Sequence, residues 1–160
     1  MKAPNHLLGG LVFTGLCSAL SGVNIFTTPA AVATTVVGAL LPDIDHPKSW
    51  MGRLFPPLAY LLNRRYGHRT ITHSAVALLG LSFVVSSVEQ LATGKSALGL
   101  VFFFAYLSHL VLDMVTLQGV PLLYPFSKNP FVMPANPRFR IRTDDTRAET
   151  IAFCSFLLLG

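Results

Sequence analysis

Apolar residues in this chain fall in long uninterrupted runs, separated by prolines and clusters of basic residues. A bilayer core of about 30 Å needs about 20 helical residues, within a range of about 17–25. Leu7–Val23 meets that without a charged residue and predicts a first span. Pro29 then stands where a first helical position belongs, with Thr28 as its N-cap. From there the chain stays apolar to Leu41, predicting a short second helix that ends near Asp45. Ile71–Leu91 is the third candidate and Ala97–Thr116 the fourth. Residues 149–160 are apolar enough to begin a fifth. The pattern therefore predicts an all-α, polytopic membrane helix bundle of four to five spans in a single domain, 1–160.

Composition agrees. Apolar residues make up 52% of the chain and charged residues only 12%. A soluble domain usually carries about 25% charged residues, so half of an aqueous surface is missing. Lys2 ahead of an apolar run resembles a signal peptide, but further apolar runs follow and no small-x-small cleavage site ends the first. The first run reads as a retained helix. Cys17 and Cys154 lie inside apolar runs without metal-ligand spacing, and no disulfide is expected.

Positive charge predicts the orientation. Lys48, Arg53, Arg64, Arg65 and Arg69 follow the second run, and Lys128, Arg138, Arg140, Arg142 and Arg147 follow the fourth. With Lys2 these are 11 of the 12 Lys and Arg residues. Alternating spans put all of them on one side, the cytoplasmic one. Trp50, Phe55, Leu58, Tyr60 and Tyr66 interleave with the first basic group around Pro56-Pro57. That mixture suits a short interfacial helix, and equally a solvated positive-inside loop. The segment from Gln118 to Arg147 carries five prolines and cannot be helical throughout.

Histidine and aspartate change the picture most. His6 opens the first run; Asp43, Asp45 and His46 close the second; His68 and His73 precede and open the third; His109 and Asp113 end the fourth. With the topology above, all of them reach the cytoplasmic side. His109 and Asp113 are four apart on one helix face, within reach of a shared ion. An aspartate within a membrane helix is costly unless partnered, and a divalent cation supplies a partner. Imidazole with carboxylate suits zinc, with manganese or iron as alternatives. A bound ion lowers the pKa of a ligated water to about 7, making a nucleophile available. Taken singly, each histidine fits a wet helix end, and Arg69 fits the positive-inside rule; as a set, four separated segments delivering His or Asp to one layer point to a metal site.

The strings LPDIDHPKS, GHRTITHS and YLSHLVLDMVTLQGVPLLYP, with the N-terminal NHLLGG block, resemble the YdjM-type family of inner-membrane proteins. The resemblance covers the chain from about His6 to the proline-rich segment. It implies a metal-dependent hydrolase of the bacterial inner membrane, associated with the LexA-controlled DNA-damage (SOS) response. More distantly, the order of these residues is similar to zinc-dependent phospholipase C and the P1-type nucleases. That likeness implies His6, Asp43, His73, His109 and Asp113 as metal ligands, with Asp113 placed to bridge two ions. No histidine follows His109, so one or two ions are implied, with His46 or His68 completing the ligand set.

The expected function is hydrolysis of a phosphoester, a phospholipid or another amphiphilic phosphate at the cytoplasmic headgroup layer, with membrane lipids as partners and no direct contact with nucleic acid. Asp45 is the expected acid/base or supporting group and Arg69 the group that steadies negative charge. Two rivals stand beside it. In one, the ion only ties helix ends together in a regulatory or interaction protein; in the other, the chain transports metal ions.

Overall fold

The computed structural model describes residues 2–21 and 28–142; the expected fifth run and Cys154 lie outside the described residues. It is all-helical, and no strand is present among those residues. Helix α1 spans Ala3–Ser21, α2 Pro29–Leu40, α3 Trp50–Leu54, α4 Pro56–Tyr66, α5 Ala75–Thr93 and α6 Ala97–Met114. Short 3₁₀ turns occupy Leu41–Asp45, Ile71–His73 and Pro137–Phe139.

Helix α6 is the hub, with α1, α2 and α5 packed around it. Small residues let the backbones approach. A Cβ at Gly38 of α2 would stand 2.9 Å from Ala105 Cβ and 3.1 Å from the Phe102 carbonyl oxygen, both on α6. Gly10 of α1 meets Ala39 of α2 in the same way. Such close approach lets the facing backbones and side chains gain dispersion contacts along the seam. Phe102, Tyr106 and Leu110 of α6 join Leu78 of α5 in the apolar core.

Local chemistry places the ends. Thr28 caps α2 by accepting from the Ala31 N–H at 3.2 Å, as its position before Pro29 predicts. Ser74 does the same for α5. The second run departs from expectation. Its α-helix stops at Leu40, and residues 41–45 tighten into a 3₁₀ turn containing Pro42, whose ring cannot donate an N–H to the preceding turn. With 12 residues, α2 is about 18 Å long at 1.5 Å per residue.

Among the described residues two helices, α5 and α6, are long and apolar enough to cross a membrane; the expectation was four to five spans. Helix α1 is as long but is diluted by Asn5, His6, Thr14 and Ser18. Helix α5 exposes Val76, Leu79, Phe83, Val84, Val88 and Leu91 on its outer surface. The basic stretch after α2 is helical: α3 and α4, broken at Phe55 by Pro56-Pro57. After α6 the described part of the proline-rich segment holds only the 3₁₀ turn at Pro137–Phe139 and isolated bridges from Thr116 to Ile141 and Val120 to Phe131.

Candidate metal centre

One end of the bundle collects the polar residues. The start of α1 brings His6, the 3₁₀ turn after α2 brings Asp43 and Asp45, the turn before α5 brings His73, and the last turns of α6 bring His109 and Asp113. His6, His73, His109 and Asp113 are fully buried, and the Asp43 side chain is 15% exposed.

Four of these converge on a point. His73 Nε2 lies 3.4 Å and His109 Nε2 3.6 Å from Asp113 Oδ2. The same two nitrogens lie 3.8 Å and 3.7 Å from Asp43 Oδ1. Neither Nε2 makes a hydrogen bond, although both are buried. Ligand atoms about 2.0–2.2 Å from a tetrahedral zinc ion stand about 3.3–3.6 Å apart, so the observed separations match such a site to within a few tenths of an ångström. Two imidazoles and two carboxylates also suit manganese and iron.

The groups behind these ligands set their protonation. His109 Nδ1 is 2.7 Å from the Ala39 carbonyl oxygen, which can only accept. The proton therefore sits on Nδ1, and in the neutral ring the Nε2 lone pair faces the carboxylates. His73 reaches the same state through a relay. The Thr72 hydroxyl donates its single proton to Asp45 Oδ2 at 2.8 Å, so it must accept from His73 Nδ1 at 3.1 Å. Metal-ligating histidines are commonly held this way, by a carbonyl or carboxylate on the far nitrogen. Burial alone would lower His73, but Asp113 and Asp45 on its two sides outweigh that and raise it to about 9.

Asp45 has no free oxygen. Oδ1 is 2.8 Å from His68 Nδ1, and Oδ2 also accepts from the Arg69 N–H at 2.9 Å. Desolvation opposes its charge, yet the facing imidazoles of His68 and His73 hold it below the usual carboxylate range. Asp43, Asp45 and His68 do form a second close group, but this one is spent on internal bonds. Arg69 adopts a left-handed backbone (φ 57°), which costs a non-glycine residue roughly 1 kcal/mol or more. Its N–H on Asp45 and its guanidinium, 2.9 Å from Asp113 Oδ1, hold it there.

The structure thus brings Asp43, His73, His109 and Asp113 together and sets Asp45 and Arg69 around them. His6 faces the other oxygen of Asp113, at 3.5 Å from Oδ1, and its ring stacks on His109 at 3.6 Å. His68 serves Asp45, and His46 stacks on His68 at 4.8 Å, outside both ligand groups. Thr72, Thr116 and Gln118 were invisible to the sequence reading. Thr72 adjoins His73, but nothing in TITHS distinguishes its hydroxyl from that of a capping residue.

A family model described as YdjM inner membrane protein matches residues 1–158. The chain is 36% identical over 125 residues to the "Uncharacterized protein YvsG" of Bacillus subtilis (strain 168), covering 78% of this chain and 74% of that protein. It is 38% identical over 136 residues to the "Inner membrane protein YdjM" of Escherichia coli (strain K12), covering 78% of this chain and 66% of that protein. The protein of the same name from Shigella flexneri matches to the same extent. No solved structure matches.

Proposed function

The chain belongs to the YdjM family of inner membrane proteins, and from that premise we propose that it is a membrane-embedded, metal-dependent hydrolase of phosphoesters. The observation carrying this reading is that Asp43, His73, His109 and Asp113 each bring a ligand atom within 4.8 Å of the others. Zinc is the ion the donor set suits best, with manganese or iron next. A divalent ion held there supplies a Lewis acid and an acidified water. In the hydrolysis, water adds to phosphorus, the ester P–O bond breaks, and the leaving oxygen takes a proton. Asp45 holds Thr72 and, through it, His73 in register, while Arg69 places a fixed positive charge beside Asp113. His6, on the far oxygen of Asp113, is placed to help hold a second ion.

The bundle crosses the membrane more than twice in this reading. Helices α1 and α2 pack on α6 and complete the helical body within the bilayer, and the metal end faces the cytoplasm. Arg53, Arg64 and Arg65 on α3 and α4, beside the exposed Trp50, Leu54, Tyr60 and Leu61, support a helix pair lying at the headgroup layer.

A second reading is favoured by enclosure. Three of the four ligand groups are completely buried, as in an ion that only ties helix ends together. Asp43, at 15% exposure, is the opening that hydrolysis needs.

The deciding experiment is elemental analysis of detergent-purified protein beside His109→Ala and Asp113→Ala, followed by a phosphoester panel. Stoichiometric metal in the wild type, lost from both monodisperse variants, together with cleavage of a phosphoester, supports the hydrolase. Metal without cleavage of any phosphoester, and melting on chelation, supports the structural ion. Absence of metal after titration defeats both.

A further inference from the structure

Next to the His/Asp cluster, a cavity of about 270 Å³ opens between the turn before α5 and the proline-rich segment after α6. His68, Arg69, Gln118, Tyr124 and Lys128 are among its walls, and none of its lining residues is acidic. We propose that this cavity is the phosphate-binding subsite of the metal centre, in which Arg69 and Lys128 receive the phosphate group of the substrate. The proposal rests on the hydrolytic reading above and gives it a substrate class, an anionic phosphate carried by an amphiphile.

Arg69 is the fixed half of the subsite. Its Nη1 donates to Thr116 Oγ1 and Gln118 Oε1, both at 3.1 Å, and its Nη2 donates to Asp113 Oδ1. Its Nε is buried and makes no hydrogen bond, and the side chain is only 10% exposed. The guanidinium is therefore locked at the cavity wall before any ligand arrives, which lowers the ordering cost of binding. Because Arg69 also touches Asp113, an anion at this wall is one side chain away from the converging ligand atoms.

Lys128 is the adaptable half. It is exposed on the proline-rich segment and makes no ion pair or hydrogen bond among the described residues. A long flexible ammonium and a rigid guanidinium lining one acid-free cavity complement a phosphate. The same segment exposes Leu117, Leu123, Phe126, Phe131 and Met133. Apolar side chains around a basic cavity suit a ligand whose phosphate enters protein while its chains remain in lipid.

The test is calorimetric titration of the detergent-purified protein with inorganic phosphate and, separately, with dihexanoyl phosphatidic acid. Each is run on the protein as isolated and after chelation and dialysis. Both ligands should bind, and Lys128→Glu should weaken both about tenfold or more, with Lys128→Arg restoring them and metal content unchanged throughout. Tighter binding of the lipid assigns the site to a headgroup; equal binding assigns it to soluble phosphates. Binding of neither ligand in any preparation, or undiminished binding in Lys128→Glu, overturns the subsite. Metal present without phosphate binding removes the subsite and leaves the metal centre. Phosphate binding sensitive to Lys128 in a protein that takes up no metal does the reverse.

Discussion

His109 donates from Nδ1 to the Ala39 carbonyl oxygen at 2.7 Å, across the contact between α6 and α2. Ala39 lies in the last turn of α2, where carbonyls lack the N–H that a continuing α-helix would supply. The early end of that helix thus provides the acceptor that orients a ligand on its neighbour. A helix continued to Asp45 would have spent more of those carbonyls internally.

Asp45 reaches the candidate ligands through Thr72, His73 and Arg69, so in the proposed metal centre Asp45→Asn should weaken metal binding without abolishing it. Groups of this kind typically contribute about 10–100-fold to affinity. Competition against a chromophoric chelator should show a loss in that range for Asp45→Asn and no measurable binding for His109→Ala. Wild-type affinity in Asp45→Asn would mean that the Thr72 relay is incidental.

In the proposed metal centre, protons and metal would compete for His73. Its folded value of about 9 lies above the ordinary 6.5, so in the metal-free protein it contributes stability that is fully present below pH 6.5. That contribution is lost as the pH rises towards about 9. Thermal melts of chelated protein should therefore fall across this window, whereas metal affinity should rise with pH as the competing proton leaves. Affinity flat from pH 6 to 9 would show that His73 is not displaced from its proton by the ion.

Gly38→Val should destabilise the bundle by roughly 1–3 kcal/mol through overpacking. The added Cβ would meet Ala105 Cβ at 2.9 Å and the Phe102 carbonyl at 3.1 Å, and a helix backbone cannot yield as a flexible side chain can. A melting temperature unchanged in detergent would mean that α2 and α6 separate at little cost.

Tyr106→Phe removes the hydrogen bond from the buried Tyr106 hydroxyl to the Thr72 carbonyl. An acceptor stripped of its donor costs about 1–3 kcal/mol. The same variant should also weaken metal binding modestly, because Thr72 orients His73. A lowered melting temperature with unchanged metal affinity would separate the two roles of Thr72.

Much of this was legible because the governing rules are local. The helical character of the runs follows from their length and apolarity, and the cap at Thr28 from its place before Pro29. His109 and Asp113 could be paired from spacing alone, since four residues return a helix to the same face. The Asp43 and His73 contributions could be anticipated only through an expected topology, read from the basic clusters. Span counting was less secure: α2 ends at Leu40 because Pro42 and the following polar residues form a turn, which hydropathy does not register.

Sequence by itself determined that the chain is helical and apolar and that its histidines and aspartates sit at run ends, because periodicity and composition act over neighbouring residues. Only the tertiary structure decided which of them share a point and which are spent elsewhere. His46 and His68 are as well placed in sequence as His73, yet His68 bonds Asp45 and His46 stacks on His68. The cavity at Arg69 and Lys128 joins residues from segments on either side of α5 and α6. Hydrogen bonds and ligand contacts are selective to tenths of an ångström, and that selection is made by how α1, α2, α5 and α6 pack, which no stretch of sequence contains.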